Sequence, residues 1–488
     1  MQLRQLTLAM AVALAASQAF ALTPTQIGAA RTAKTLHEVY INGASAPTRS
    51  VYLSARTLCQ PGTIHTYNAD SAGTNLGSAG NFVATACTSN GTLSTVPNNE
   101  ALVIYHTVDG GSFTAVEVHY AGQAAMKKRL KALDNNATCV AHAGDTITHD
   151  PGYNKCTTVT PNPTTPVDAA PQYPQGGFLD VEPNLWVDLL PGGKTASDYG
   201  DVAAGSLTQV FGVAVSTNLY RAMQAHQGIT SAACTDGVGT DDWRNPACMP
   251  NLTRAQYASI AADVGGYHSD WSALVNAADA SKDIRLCRRV VTSGTQASSN
   301  AFFLGSPCNR GAATAGELAP AAAQTTSPFI VIENEGTSDV KKCLDTANTL
   351  GTQYGIGVVS AENDPLAEIQ TDRNDYRFVK LDGVSPEDWT DSIAGDSGKA
   401  RQNGIDGKYG MVMEMTYFVP NSGSVMGPAS AAAAEVLSAI NTAMGDPANT
   451  NLRGIFINPQ VADYTSFPDQ VGKGTRFGNN CQSVLMFY

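Results

Sequence analysis

One short stretch of the chain combines residue types that could bind an anion. Arg289 lies four residues before Ser293-Gly294-Thr295, and the helix-like run QASSNAFFL follows. If the segment before the turn ends a strand, the backbone amides of Ser-Gly-Thr become the unpaired first donors of the next helix. Those donors and the helix dipole attract negative charge, and glycine lets a ligand approach the backbone closely. The stretch therefore predicts an oxyanion seat, with the Arg289 guanidinium as its cation. An ordinary capped strand–turn–helix connection is the alternative.

Three other turns could complete such a site, because each follows a strand-like run and carries small or polar residues. They are the turn with Ala46, Pro47 and Thr48, the glycine turn that ends in Ser112, and the turn that begins with Asp180. A carboxylate such as Asp180 repels a fully ionised guest but accepts a hydrogen bond from one that keeps a proton. Asp180 beside Arg289 would therefore favour phosphate or arsenate over sulfate.

Composition limits which partners the protein can have. The formal net charge is -12 and no basic run is present, so nucleic acid and anionic membrane surfaces are poor partners. An anion site in such a chain must depend on local dipoles and one or two cations. No P-loop, no GxSxG nucleophile elbow and no Cys/His spacing for zinc occurs, so no cofactor and no metal are predicted.

The first 21 residues are typical of a cleavable secretory signal. Arg4 is followed by the apolar run LTLAMAVALAA and by Ala19-Phe20-Ala21, a small-residue cleavage site. The run is too short to span a bilayer, and no later apolar run reaches about 18 residues. We therefore expect a periplasmic or secreted protein without a membrane anchor.

Ten cysteines agree with an oxidising compartment, where they would serve as structural disulfides. Connectivity cannot be read from sequence. Pairing of sequence neighbours suggests Cys59–Cys87, Cys139–Cys156, Cys234–Cys248, Cys287–Cys308 and Cys343–Cys481.

The order of apolar and polar runs indicates an α/β protein of more than one domain. A chain of 488 residues is too long for one core. The section 55–175 is rich in Gly, Asn, Thr and Ser, carries four cysteines, and includes one helix-like run at 122–134. From about 178 onward, strand-like and helix-like runs alternate, which predicts mostly parallel sheets.

Together and in this order, the four elements resemble the periplasmic phosphate-binding proteins of ABC-type phosphate uptake, within the type 2 periplasmic binding-protein superfamily (PBP-like domain). The matching segments are Gly43–Ala46, Gly110–Ser112, Asp180–Pro183 and Arg289–Thr295, and the similarity extends in patches over 37–418. The chain departs from the family pattern at Val291, where an acidic residue is usual, and at Leu179, where Ser is common.

The resemblance implies a two-lobed α/β fold with a disulfide-stapled, loop-rich insertion in the first lobe. After a signal peptide at 1–21, the first lobe would cover 22–205 and the second 206–356, and 357–488 would return to the first. Hinges near 206 and 357 would close both lobes on phosphate or a similar protonated oxyanion, without chemical turnover, and an ABC transporter permease would be a partner. The implied ligand-binding residues are Ala46, Pro47, Thr48, Ser112 and Asp180 from one lobe and Arg289, Ser293, Gly294 and Thr295 from the other.

Two other functions remain open from the residues alone. A secreted scaffold or adhesion protein could keep the fold with a degenerate site. A secreted phosphatase or serine hydrolase could use Ser293 or Ser397, the latter in a Gly-Asp-Ser-Gly sequence, but no histidine lies within 24 residues of either serine. His142, Asp145, His149 and Asp150 have the spacing of solvated loop residues rather than of metal ligands.

Overall fold

The computed structural model describes residues 22–68, 82–122, 173–235, 245–262, 270–309, 327–365, 376–387 and 400–487, and the backbone of four short strands between 132 and 159. The predicted signal at 1–21, Ser397, Asp145, His149 and Asp150 lie outside these residues. So does most of the helix predicted at 122–134, whose last part is wrong because Ala132–Leu133 is a strand. None of the helices within the described ranges has the length and apolar character needed to cross a membrane.

The strands, in chain order, are β1 Leu36–Gly43, β2 His65–Asn68, β3 Phe82–Thr88, β4 Ala101–Thr107, β5 Ala132–Leu133, β6 Cys139–His142, β7 Tyr153–Cys156, β8 Thr158–Val159, β9 Gly177–Leu179, β10 Gly200–Ser216, β11 Asn251–Leu252, β12 Asp283–Arg289, β13 Phe329–Asn334, β14 Gln353–Ser360, β15 Tyr376–Phe378, β16 Lys380–Leu381, β17 Val412–Pro420, β18 Ile455–Ile457, β19 Gly474–Thr475 and β20 Leu485–Met486.

The α-helices are α1 Pro24–Ala33, α2 Thr48–Ala55, α3 Thr114–Ala121, α4 Thr217–His226, α5 Ala232–Thr235, α6 Arg254–Ala261, α7 Gly294–Ser299, α8 Thr337–Leu350, α9 Gln402–Ile405 and α10 Ala431–Met444. A π-helical turn, Asn300–Leu304, continues α7. Thr253 and Gln256 form a capping box at the start of α6.

The long strand β10 lies at the centre of the molecule. Its residues from Ser206 to Ser216 are all buried, as expected for an apolar strand covered on both faces. The first part of β10 pairs with β17 and β18, and its last residues pair with β14 and β15. All four pairings are antiparallel, so the large sheet is mixed and the expectation of mostly parallel pairing is wrong. The boundary predicted at 206 falls inside β10, beside a register shift between Ala204 and Thr208.

The strand order of the sheet is β13-β12-β14-β10-β17-β9-β1-β4-β3-β2-β7-β6, and it includes two groups of three parallel strands and the parallel pair β2–β7. We call β9, β1 and β4 the first parallel set, and β13, β12 and β14 the second parallel set. Parallel strands place all their carboxyl ends at one edge of a sheet, which is where ligands bind in α/β proteins. In the first set these ends are Leu179, Gly43 and Thr107, and in the second they are Asn334, Arg289 and Ser360.

The disulfides correct part of the cysteine prediction. Cys59–Cys87 and Cys234–Cys248 are confirmed. Cys139 and Cys156 are partners in the antiparallel register of β6 and β7.

The predicted pairs Cys287–Cys308 and Cys343–Cys481 are wrong, because the bonds formed are Cys287–Cys343 and Cys308–Cys481. Helix α8 packs on the second parallel set, so that Cys343 and Cys287 share one buried cluster. Cys308 then bonds to a cysteine 173 residues away. Proximity in sequence was therefore a poor guide wherever a helix lies across a sheet.

Candidate functional site

The turns that follow the two parallel sets lie against each other. The backbone N–H of Phe113 donates to the carbonyl oxygen of Thr292 at 3.0 Å, and the Thr292 hydroxyl donates to the Gly110 carbonyl at 2.5 Å. A Cβ atom on Gly111 would lie 2.7 Å from the Cα of Ser293, and the φ of Gly111 is +87°. Only glycine allows this approach. The structure thus brings together the glycine turn and the Ser-Gly-Thr turn that the sequence singled out.

Asp180 is at the centre of this contact. Its side chain follows β9 and the residue is only 3% exposed. The Ser112 hydroxyl donates to Oδ2 of Asp180 at 3.0 Å, and the Asp180 backbone N–H donates to the same hydroxyl oxygen at 3.3 Å. The other carboxylate oxygen, Oδ1, is buried without a hydrogen-bond partner. Buried polar atoms are normally hydrogen-bonded, so this oxygen is an unfilled acceptor to which a ligand O–H group could donate a hydrogen bond.

Gly294 closes over the same two side chains. A Cβ atom at this position would lie 2.3 Å from Oδ2 of Asp180 and 2.4 Å from Oγ of Ser112. The residue is the first of α7, and Ser293 occupies the N-cap position in an extended conformation without a side-chain capping bond. Ser293 and Thr295 are buried beside it. Any side chain on residue 294 would push the start of α7 away from Asp180.

Burial raises the pKa of Asp180 to about 6, although the Ser112 hydrogen bond and the positive charge of Arg289 act in the opposite direction. The carboxyl is therefore mostly ionised near neutral pH, and at that pH it acts as a hydrogen-bond acceptor. The positive charge of Arg289 acts on this carboxyl group and favours its ionised form.

Arg289 ends β12 and is 3% exposed. Its Nη1 donates to the Thr337 hydroxyl at 3.0 Å and its Nη2 donates to the Glu335 carbonyl at 2.8 Å. The Nε atom is buried without a partner. Burial lowers the pKa of Arg289 to about 10, opposed by the nearby acidic side chains, of which Asp180 acts most strongly. The guanidinium therefore stays charged at neutral pH, and it is held by Glu335 and by the first residue of α8.

The predicted turn at Ala46, Pro47 and Thr48 differs in detail from the expectation. All three residues are buried, and α2 begins at Thr48 with Pro47 as its N-cap. The Thr48 backbone N–H and hydroxyl both donate to the Ser45 carbonyl, at 3.2 and 2.6 Å. Those donors stabilise the turn itself, so the backbone amide and the hydroxyl of Thr48 are not available to a ligand in this conformation.

Two charged residues at this place were missed by the sequence analysis. Glu362 lies two residues beyond β14, and its pKa is raised to about 8, mainly by burial. Arg49 lowers that pKa while Asp180 raises it, so Glu362 is electrostatically coupled to both. Glu362 is half-buried, and we interpret it as lying at the rim of the site. Its position directly after the strand GIGVVS is a signal that could have identified it.

Comparison with known proteins gives limited information. No protein-family model matches the chain, and no curated protein matches it. Among solved structures, it is similar to a protein from Clostridium perfringens described as a candidate phosphate ABC transporter substrate-binding protein with bound phosphate. The sequence identity is 11%, the TM-score 0.38, and the match covers 83% of this chain and 93% of the other.

A protein from Planctomyces limnophilus, described as a candidate phosphate-binding protein, is similar at 10% identity with a TM-score of 0.27, covering 79% and 82% of the two chains. TM-scores this low establish no shared fold. The geometry of the site therefore has to carry any functional proposal.

Proposed function

We propose that this protein binds a protonated, phosphate-like oxyanion at the contact of the two parallel sets and does not change it chemically. The observation that carries the proposal is Asp180, a buried carboxylate with one oxygen bonded to Ser112 and the other without a partner. The charged guanidinium of Arg289 acts on the same carboxylate. A cation and a hydrogen-bond acceptor in one place suit a guest that carries both negative charge and a proton.

The same pair of charges explains why phosphate would be preferred over sulfate. Phosphate keeps at least one proton near neutral pH, and that proton can be donated to Oδ1 of Asp180. Sulfate has no proton, so its oxygen would face a carboxylate oxygen. A hydrogen bond to a charged group contributes about 1.5–3 kcal/mol, which corresponds to roughly 10- to 100-fold in affinity. Arsenate shares the shape and protonation of phosphate and would bind similarly.

Capture would occur by closure of two lobes that hinge near 206 and 357. The bonds that join the turns after the first and second parallel sets would be closed-state contacts. These include the bond from Phe113 to Thr292 and that from Trp186 Nε1 to the Val291 carbonyl at 2.9 Å. Opening would break these bonds and expose Asp180 and Arg289 to solvent. The oxyanion would enter in the open state and be released from it.

The biological setting that fits this binding mode is uptake from outside the cytoplasm. The four disulfides among the described residues suit an oxidising compartment. The sequence resemblance to phosphate-binding receptors adds a periplasmic or secreted location and a permease partner to the proposal. Under this proposal the protein would deliver its oxyanion to an ABC transporter.

Calorimetry at pH 7.5 on protein stripped of ligand tests the proposal. Phosphate should release heat and saturate one site, whereas sulfate should not. Asp180→Asn should weaken phosphate binding roughly 10- to 100-fold and bring the two anions close together in affinity. Asp188→Asn, at an exposed position in the same loop region, is the matched control and should behave as wild type. Absence of heat with phosphate, arsenate and sulfate would refute the proposal.

A scaffold or adhesion role is the second candidate, and one observation favours it. Nη1 and Nη2 of Arg289 already bond to Thr337 and to the Glu335 carbonyl, which is the arrangement expected of a structural arginine. Under this reading the site is degenerate and the fold serves only as a rigid framework. Millimolar phosphate should then leave the unfolding temperature unchanged, because a ligand stabilises a protein only by binding its native state.

A further inference from the structure

The C-terminal segment 474–481, which we call the strap, lies against the loop that carries Asp180. Glu182, two residues after Asp180, is 6% exposed. Its Oε1 accepts the backbone N–H of Asn480 at 2.8 Å and its Oε2 accepts the Asn480 side-chain Nδ2 at 2.6 Å. Both oxygens of this carboxylate are therefore bonded to one residue of the strap.

Asn480 also bonds to β17. Its Nδ2 donates to the Glu414 carbonyl at 2.9 Å, and its Oδ1 accepts the Glu414 backbone N–H at 2.8 Å. The Glu414 carboxylate in turn accepts the backbone N–H groups of Arg476 and Gly478, the latter at 2.6 Å. Every polar group of the Asn480 side chain thus bonds to the Asp180 loop or to β17.

The next residue joins the strap to the other side of the site. Cys481 forms a disulfide with Cys308, which lies four residues beyond the helical run that begins at Gly294. Gly294 is the residue that packs on Asp180 and Ser112. A closed path therefore runs from Asp180 through Glu182 and the strap to the disulfide, and back along α7 to Asp180.

This disulfide also differs from the other three in its exposure. Cys481 is exposed and Cys308 is half-buried, whereas the cysteines of the other three disulfides between described residues are all buried. Exposed disulfides are the ones that react with thiols, because exchange requires access of a thiolate to a sulfur atom. The Cys308–Cys481 disulfide, at the end of the strap, is thus accessible to thiols in solution.

We propose that the strap ties the Asp180 loop to α7 and thereby limits how far the two parallel sets can separate, with Asn480 as the positioning residue for Asp180. This inference rests on the proposed function in one respect, namely that the site holds a ligand whose exit requires separation. An intact strap makes ligand exit slow. It also holds Asp180 in register with Gly294.

Ligand dissociation kinetics test the disulfide. The rate of phosphate release is measured by rapid mixing, with the fluorescence of Trp186, which bonds across the contact, as the reporter. The double variant Cys308→Ser/Cys481→Ser should release phosphate about tenfold faster. Cys234→Ser/Cys248→Ser is the matched control and should leave the rate unchanged. A rate in the first variant within twofold of wild type would overturn the proposal.

The wild-type protein provides a second test of the same bond without mutation. Brief treatment with a dithiol reduces the accessible disulfide, so that each cysteine sulfur gains a hydrogen and the reductant becomes a disulfide. Mass spectrometry identifies the protein in which only Cys308 and Cys481 are reduced. That protein should show the faster release seen in the double variant. Unchanged release after reduction would contradict the proposal.

Anion selectivity tests Asn480. Asn480→Ala should reduce the ratio of phosphate to sulfate affinity about tenfold, because the Asp180 loop loses its fixed position. Glu182→Gln keeps a carbonyl oxygen for the Asn480 backbone N–H and should keep most of that selectivity. If Asn480→Ala changes stability but not selectivity, Asn480 is a structural residue and its positioning role is wrong.

Hydrogen exchange separates failure of the strap from failure of the proposed function. The Phe113 amide bonds across the contact to Thr292 and reports its opening without any ligand. This amide should exchange faster in Cys308→Ser/Cys481→Ser than in the control pair. Unchanged exchange would reject the strap. Faster exchange in a protein that binds no oxyanion would support the strap and reject the phosphate proposal.

Discussion

Two carboxylates that are two residues apart have opposite relations to the rest of the molecule. Asp180 and Glu182 are both buried, and burial raises the pKa of the first to about 6 and of the second to about 7. Both oxygens of Glu182 accept hydrogen bonds from Asn480, whereas Oδ1 of Asp180 accepts none. Glu182 is thus fully bonded within the chain. Asp180 retains an acceptor, which is the property expected of a binding residue.

The charges beside the two carboxylates repeat this difference. The positive charge of Arg476 lowers the pKa of Glu182, and that of Arg289 lowers the pKa of Asp180. The Arg476 guanidinium donates from Nε to the Gln482 carbonyl at 3.0 Å and also bonds to the Val412 carbonyl. Arg289 keeps a buried Nε without a partner. Two carboxylate–arginine pairs that are similarly buried can therefore differ in function, because among these four residues only Asp180 and Arg289 keep buried polar atoms without hydrogen-bond partners.

The largest effect is expected from filling the space above Asp180. Gly294→Ala places a methyl group 2.3 Å from Oδ2 of Asp180, so the start of α7 has to move. We expect phosphate binding to fall more than about 100-fold and the free energy of unfolding to fall by about 1–3 kcal/mol. Calorimetry and urea unfolding measure the two quantities.

Gly192→Ala is the matched control, since a Cβ atom there meets no atom within 4 Å and the backbone needs no positive φ. It should bind phosphate as wild type does. Normal phosphate affinity in Gly294→Ala would mean that the contact of Asp180 and Gly294 is not the binding site.

The raised pKa of Asp180 makes the stability of the protein depend on pH. The ordinary pKa of an aspartate is 3.8 and that of Asp180 is about 6, so the folded state binds more protons than the unfolded state between these values. The free energy of unfolding therefore falls as the pH rises from about 4 to 6, and above pH 6 the full cost of burying the ionised Asp180 carboxylate is present. The difference corresponds to about 3 kcal/mol. Asp180→Asn should remove this fall and stabilise the free protein by up to about 3 kcal/mol at pH 8.

At pH 8, Glu182→Gln should stabilise the free protein less than Asp180→Asn does. The Gln amide would present one N–H₂ group to Asn480, which already donates to both carboxylate oxygens. One hydrogen bond is therefore lost, at a cost of about 1–3 kcal/mol. Urea unfolding of both variants at pH 4 and pH 8 measures the effect. A gain for Asp180→Asn that is equal at both pH values would show that the charge of Asp180 is not its cause.

Sequence reasoning located those parts of the site that depend on local pattern. Glycine turns and polar residues directly after strand-like runs pointed to Ser112, Asp180 and Gly294, and the structure places these three in contact. Contacts between distant segments could not be read in this way. Asn480 is an ordinary loop residue in the sequence, and its bonds to Glu182 arise only because the chain returns to β17.

The disulfides illustrate the same limit on a larger scale. Cys59 and Cys87 pair within one local group of strands, and their spacing was enough to predict the bond. The bond of Cys308 to Cys481 depends on where the C-terminal segment docks, which is decided by the buried carboxylates of Glu182 and Glu414. The alternation of strands and helices after about residue 178 could be predicted, but the mixed pairing around β10 required the tertiary structure.

The smallest effect is expected at Glu362, at the rim of the same site. Its pKa of about 8 means that it is mostly protonated below that pH and negatively charged above it. Burial is the main cause of this raised pKa, and Asp180 raises it further, whereas Arg49, the Ser360 hydroxyl and Lys341 lower it. Ionisation of Glu362 adds a negative charge near Asp180, so anion affinity should fall as the pH rises from 7 to 9, by about fivefold. Glu362→Gln should remove this fall.

The phosphate ion loses its own second proton in this range with either protein. The ratio of the phosphate dissociation constants of the wild type and Glu362→Gln therefore isolates the effect of Glu362. A ratio that stays constant from pH 7 to 9 would show that Glu362 does not act on the bound anion, and the pH response would then belong to the phosphate ion alone.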